Sequence, residues 1–154
     1  MESRAPAKTT YYNGIFPFGV DDKRRIQIPA RWRPEEEDVE LTLILWPQSD
    51  AGACLRVLPP PQMARLMEDL EKMPNEDPRK VVLKRFIGSE SAQATVDKGG
   101  RVCLPEGMAK AAGITDSAVL VGLLDRFEIW SPDRYKKVRT SDADVAQEAF
   151  KMMG

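Results

Sequence analysis

The sequence predicts an α+β chain, mainly β, built from two tandem repeats with short flanking helices. Two correspondences predict it. Val20-Asp21-Asp22-Lys23-Arg24-Arg25-Ile26-Gln27-Ile28-Pro29 returns as Val96-Asp97-Lys98-Gly99-Gly100-Arg101-Val102-Cys103-Leu104-Pro105, at an offset of 76 residues. Each copy has an apolar residue, Asp, three polar or turn-forming residues, Arg, then apolar-x-apolar-Pro. Farther on, Leu55-Arg56-Val57-Leu58-x-Pro60 is answered by Phe127-Glu128-Ile129-Trp130-x-Pro132, at an offset of 72. Both halves therefore read strand, charged turn, strand, short helix, strand, turn, strand, helix.

In chain order, Met1 to Thr10 is polar and expected to be disordered. Tyr11 to Phe16 reads as a strand with a glycine interruption, and Pro17-Phe18 either interrupts a long first strand or confines it to a sheet edge. The first charged hairpin follows around Asp22-Lys23-Arg24. Pro29 opens a helical turn over Ala30 to Arg33, stopped at Pro34. Glu35 to Asp38 is a solvated acidic loop. Leu41 to Trp46 is a near-continuous apolar run of strand length. Gln48 to Gly52 is a turn, and Cys54 to Leu58 another strand.

Pro59-Pro60-Pro61 starts a helix whose apolar stripe is Met63, Leu66, Met67, Leu70 and Met73, a packing face. Asn75 or Asp77 caps the next helix, with Pro78 in its first turn and Gly88 after its last. Arg79, Lys80, Lys84 and Arg85 form a basic, solvated face on that helix. In the second half Ala92, Ala94 and Val96 alternate as a strand. Pro105 opens a helix over Glu106 to Ala112, ended by Gly113. Ser117 to Leu124 and Phe127 to Trp130 are strands about the turn Leu124-Asp125-Arg126. Ser131-Pro132-Asp133 caps a helix over Arg134 to Val138, and the tail from Thr140 is polar with a weak helical stripe.

Composition narrows the function. The 154 residues carry 23 basic and 24 acidic side chains, so no overall basic footprint of nucleic-acid binding exists and any such site rests on local clustering. Histidine is absent, which removes the commonest general base and metal ligand. No glycine loop followed by Lys-Ser/Thr and no nucleophile–base spacing is present, so the chain is read as a non-enzyme without cofactor or metal. Cys54 and Cys103 read as buried free thiols. Met1 to Thr10 lacks the apolar core of a signal peptide, and no apolar run reaches membrane-spanning length. A cytoplasmic protein is expected.

The chemistry concentrates in the two hairpins. An Asp opening a tight turn accepts hydrogen bonds from the backbone ahead of it. Gly99-Gly100 reaches backbone angles closed to other residues. Asp97 thus builds a rigid tip from which Arg101 leaves. A held guanidinium suits phosphates and guanine edges, because its fork makes two parallel hydrogen bonds. The first tip is richer: Asp21 to Arg33 holds five basic and two acidic residues. Two roles fit the Asp/Arg pairs, a brace across each turn and a ligand contact, and they are compatible if Asp orients Arg.

The repeated Asp-x-x-x-Arg with apolar-x-apolar-Pro, together with Asp125-Arg126-Phe127-Glu128-Ile129-Trp130, resembles the MraZ family of bacterial transcriptional regulators from about Tyr11 to Lys137. Each half is similar to one SpoVT/AbrB-type unit. The resemblance implies a pseudo-twofold swapped-hairpin β-barrel. It also implies a division into residues 1–10, a disordered N-terminus; 11–73, a first AbrB-like repeat; 74–89, a linking helix; 90–138, a second repeat; and 139–154, a polar tail. Functionally it implies a DNA-binding repressor or regulator of the division and cell-wall gene cluster, nucleoid-associated, acting on short direct repeats near its own promoter. The partners implied are double-stranded DNA and copies of itself in a ring. Asp21, Arg25, Asp97 and Arg101 match the family's motif, and Lys23, Arg24 and Lys98 join them by charge and position. Rival classes are an AbrB-like antitoxin or transition-state regulator, and a ring-forming assembly module that binds no DNA. The family's glycine before the motif arginine is Gly100 in the second half but Arg24 in the first. Either Arg24 takes a left-handed backbone at a cost of about 1 kcal/mol, or the first turn has another geometry.

Overall fold

The computed structural model describes residues 11–47 and 50–154. The expected disorder of Met1 to Thr10, and Gln48 and Ser49 of the expected turn, lie outside the described residues. The strands are β1 (Ile15–Gly19), β2 (Arg25–Gln27), β3 (Glu40–Trp46), β4 (Cys54–Leu58), β5 (Ser91–Thr95), β6 (Arg101–Cys103), β7 (Ser117–Gly122) and β8 (Phe127–Trp130). The α-helices are α1 (Pro60–Lys72), α2 (Pro78–Ser89), α3 (Glu106–Ala111) and α4 (Pro132–Met153), with a 3-10 turn at Ala30–Trp32.

Six strands form one antiparallel sheet in the order β1-β7-β8-β4-β3-β5, and β2 pairs with β6 as a separate two-stranded ribbon. Exchanging β1 with β5, β2 with β6, β3 with β7 and β4 with β8 returns the same order read backwards. The duplication in sequence is thus a pseudo-twofold in pairing. Its axis is located by the registers: Ile26 faces its own repeat equivalent Val102 in the ribbon, and Arg56 faces its own equivalent Glu128 in the sheet.

The closed barrel that the resemblance implies is not formed by strand pairing. The sheet is open, with β1 and β5 at its edges. Two features end the ladders. Pro17 lies in β1 opposite Val119, and a proline has no N–H to extend pairing outward. β2 and β6 are three residues each and run into Pro29 and Pro105. The placement of Pro17 on an edge follows the sequence expectation. The first strand does not: β1 starts at Ile15, and Tyr12 makes only an isolated bridge with Leu124 before a left-handed Gly14.

The main core lies between sheet and ribbon. Ile26, Ile28, Val102 and Leu104 from the ribbon side pack with Leu43, Leu55, Val57, Leu120 and Ile129 of the sheet. Trp32, on the 3-10 turn after Pro29, meets the rings of Phe127, Phe16 and Tyr12 at centroid distances of 4.9, 5.1 and 5.7 Å. Burying such apolar side chains contributes about 1.5–3 kcal/mol each. The ribbon is therefore clamped on its inner face, which fixes its outer face in space.

Successive residues of β3 point to opposite faces, so Ile44 joins a second cluster with Leu58 and Ile87, covered by Trp46, Met63, Leu66 and Leu70. This is where α1 and α2 attach. Met63, Leu66 and Leu70 of the expected stripe pack there, while Met67 is exposed. Asp77 caps α2 as expected, its carboxylate accepting from the Arg79 N–H at 2.9 Å. The helix includes Gly88 rather than ending before it. Of its apolar residues only Ile87 is buried, and Val81, Val82, Leu83 and Phe86 stand exposed. On the basic face of α2, Arg79, Lys84 and Arg85 are exposed, with Lys84 3.0 Å from Glu71, but Lys80 is tucked in and donates to Asn75 Oδ1 at 2.7 Å, against the expectation of a wholly solvated face.

Two further differences from expectation have plain causes. The helix expected over 134–138 runs on to Met153, because the tail has no proline or internal glycine to stop it. Cys54 is buried, but Cys103 is exposed. Val102 and Leu104 take the inner face of β6, and alternation turns the thiol between them outward.

On the pseudo-axis sits a largely buried ion pair. Arg56 donates from Nε and Nη2 to Glu128 Oε2 at 3.0 and 2.8 Å, and Trp130 Nε1 donates to Oε1 at 2.9 Å. The Arg56 guanidinium also lies 4.0 Å over the Trp46 ring. Both Glu128 oxygens are thus hydrogen-bonded, and among the described residues no buried side-chain nitrogen or oxygen lacks a partner, the condition under which buried charge is tolerated. Burial, and next the Glu128 charge, push the neighbouring Cys54 thiol far above its ordinary range.

Candidate nucleic-acid interface

Both hairpin tips are closed by the same bonds. In the first, Arg24 N–H donates to the Asp21 carbonyl at 2.9 Å and Asp21 N–H to the Arg25 carbonyl at 3.1 Å. In the second, Gly100 N–H donates to the Asp97 carbonyl at 2.9 Å and Asp97 N–H to the Arg101 carbonyl at 2.8 Å. The residue before each arginine is left-handed, with φ 58° at Arg24 and 80° at Gly100. A turn followed by one left-handed residue is a standard three-residue hairpin closure. The question raised by Arg24 is thereby answered: the first turn keeps the geometry, and the arginine takes the glycine's backbone conformation.

Each Asp side chain binds the strand that leaves its tip. Asp21 Oδ1 accepts from the N–H groups of Lys23 and Arg25 at 3.0 and 2.8 Å, and Oδ2 from Arg25 Nε at 2.7 Å. Asp97 Oδ1 accepts from Arg101 N–H at 2.8 Å, while Oδ2 lies 3.2 Å from both Nε and Nη2 of Arg101. These bonds, led in each case by the one from the arginine's backbone N–H, hold both carboxyls below their usual range. The brace and the orientation of the arginine are thus one arrangement. Such half-exposed pairs contribute little to stability by themselves; their effect is to fix where the guanidinium points.

The ribbon brings the two tips together. Ile26 and Val102 face inward and are buried. Alternation turns Arg25 and Gln27 of β2, and Arg101 and Cys103 of β6, to the outer face. Register places Arg25 opposite Cys103 and Gln27 opposite Arg101. Arg101 Nη1 reaches to 3.9 Å from Asp21 Oδ2, so Asp21 serves both arginines. Lys23 and Lys98 are exposed at the tips, and Arg24 is half-buried beneath the first. All seven residues singled out in the sequence therefore lie around one ribbon. Sequence reading missed Gln27, whose Nε2 donates to the Gly99 carbonyl of the other tip at 3.2 Å, and Cys103 as an outward residue. Alternation about Ile26 and Val102 was the signal for both.

The arrangement is an exposed antiparallel β-ribbon, rigid on its inner side, with two oriented guanidiniums and two lysines outside. A two-stranded ribbon is of a size that the major groove of B-DNA admits, and arginine pairs with guanine edges or phosphates. Ribbon and arginines together make an exposed basic surface whose donors are of the kind that suits phosphates and base edges. No helix of the described residues is long and apolar enough to cross a membrane.

Comparison with known proteins gives the family. A family model described as "MraZ protein, putative antitoxin-like" matches residues 88–152. The chain is 35% identical over 141 residues to the transcriptional regulator MraZ of Clostridium tetani, covering 90% of this chain and 94% of that one. It is 32% identical over 135 residues to the protein of the same name from Caulobacter vibrioides, covering 88% and 86% of the two chains. With that of Deinococcus radiodurans it shares 32% identity over 123 residues, 80% and 83% of the two. The chain belongs to the MraZ family of transcriptional regulators.

Proposed function

We propose that this chain regulates transcription by binding double-stranded DNA through the β2–β6 ribbon and its two tips. The observation that carries the reading is the outer face of the ribbon, where Asp21 and Asp97 hold Arg25 and Arg101 in matching geometry. Lys23, Arg24 and Lys98 add charge around them. In this reading each half is an AbrB-like unit, residues 11–73 and 90–138, interlocked with the other across the pseudo-axis, and α2 links them. The target is a set of short direct repeats near its own promoter, upstream of a division and cell-wall gene cluster, and the effect is repression. Repeated sites call for repeated ribbons, so the working form is a ring of copies. The exposed Val82, Leu83 and Phe86, within about 100° of one another on α2, supply an apolar face for that contact.

Fluorescence anisotropy with a duplex from the chain's own upstream region tests the binding. Affinity falls steeply with salt, since each phosphate contact releases counterions. Arg25→Ala and Arg101→Ala each weaken binding by about tenfold or more, with circular dichroism unchanged. Wild-type affinity in both variants means that the pairs are braces only. Val82→Glu lowers the sedimenting mass if α2 joins the copies; an unchanged mass removes that face from the assembly.

A further inference from the structure

The first tip carries Arg24 where the second carries Gly100, so the second tip is one guanidinium short in sequence. It is not short in space. Arg24 Nε donates to the carbonyl of Leu104 at 3.0 Å. Leu104 precedes Pro105, and its repeat equivalent is Ile28, before Pro29. The Ile28 carbonyl likewise accepts from a guanidinium: Arg33 Nε, at 2.8 Å. The backbone around both sites is equivalent too, with Leu104 N–H donating to the Arg24 carbonyl and Ile28 N–H to the Gly100 carbonyl, each at 2.8 Å.

Arg33 reaches this place by crossing directly over Gly100. A Cβ at Gly100 would overlap its guanidinium, and Gly100 is buried although its neighbours Lys98 and Gly99 are exposed. At the same offset the second half has Ala109, but Ala109 lies inside α3 and is small and buried in the core, whereas Arg33 is in extended backbone just past the 3-10 turn. The two sites are thus filled from different places in the chain, one by Arg24 of the tip itself and the other by Arg33 lying over Gly100, and each has one guanidinium on the equivalent pre-proline carbonyl.

We propose that Arg33 is the second tip's counterpart of Arg24, and that the two guanidiniums are a quasi-symmetric pair of DNA backbone contacts flanking the ribbon. In each, Nε is spent on the protein carbonyl, and the terminal nitrogens have no hydrogen-bond partner among the described residues. A guanidinium fixed by one edge presents its other donors to a phosphate. The sites are unequal in surroundings. Arg33 shares a surface depression with Lys98 and Gly100 on one side and Glu35, Glu36 and Glu37 on the other. Those carboxylates make the Arg33 contact the weaker of the two. The inference rests on the ribbon binding DNA, and it adds a residue that no repeat alignment selects.

The test is anisotropy with the same upstream duplex over a salt series, beside NMR of the Arg Nε–Hε groups. Arg33→Gln and Arg24→Gln each reduce the slope of log affinity against log salt by about 0.9, one phosphate contact. Arg139→Gln, on exposed α4, leaves it unchanged. Arg24→Gly weakens binding to the same extent as Arg24→Gln. In the unsubstituted protein the Arg24 and Arg33 Hε resonances both shift as duplex is added, a readout that depends on no variant folding. An Arg33 resonance unmoved by duplex, or wild-type slope in Arg33→Gln while Arg25→Ala loses binding, overturns the pair and leaves the ribbon reading standing. Wild-type binding in both Arg33→Gln and Arg25→Ala overturns both.

Discussion

The two hairpin tips share a backbone and differ in how they come by their charge. The first is basic in its own sequence, with Lys23, Arg24 and Arg25 in a row. The second keeps the glycine and borrows Arg33 from the other half. The difference shows that a duplicated chain need not conserve residues to conserve a charge at a place. A left-handed position accepts glycine freely and arginine at a cost of about 1 kcal/mol, and the side-chain hydrogen bond to Leu104 offsets that cost. The same freedom acts on the pseudo-axis. Two identical halves would set like charges face to face at 56 and 128, whereas here one half supplies Arg and the other Glu.

The largest expected effect breaks that asymmetry. Glu128→Ala leaves Arg56 buried without its carboxylate and is expected to cost about 3–5 kcal/mol, read as a lower urea midpoint. Next is the tip position. Gly100→Ala forces a Cβ at φ 80° and into the Arg33 guanidinium, so a loss of about 1–2 kcal/mol is expected, together with weaker DNA binding. Arg24→Gly, the reverse change, relieves strain while losing a hydrogen bond, and stability should move by less than about 1 kcal/mol. Similar losses from both changes would show that the tips do not share a geometry.

Subtler still is the sharing of Asp21. Asp21→Asn should shift amide resonances in both tips, because Asp21 meets Arg25 and Arg101, and Asp97→Asn in its own tip alone. The smallest effect is with acid. Asp21 and Asp97 titrate below the ordinary carboxylate range in the folded chain. Their contribution is therefore full above the unfolded carboxyl value and is lost as pH falls through the lowered folded values. Both tips should loosen in hydrogen exchange below about pH 4, the rest of the sheet later.

Much of this was legible in the sequence. Short-range chemistry carried it: Asp21 and Asp97 bind backbone within four residues, prolines mark where strands end, and alternation about Ile26 and Val102 gives each strand an inner face. The length of α4, the exposure of Cys103 and the open edges of the sheet were not read correctly. A polar segment without a breaker has no local signal separating tail from helix. Cys103 turns outward because Val102 and Leu104 on either side of it take the inner face.

What the sequence by itself determined is the duplication, the two tips and the residues that hold each arginine. Those follow from contacts a few residues long. Tertiary structure alone decided that the tips meet on one ribbon, that Arg56 finds Glu128 across 72 positions, and that Arg33 lies over Gly100. Those contacts exist because the inner faces of both halves need a common core, and burying it brings together side chains that no local pattern pairs.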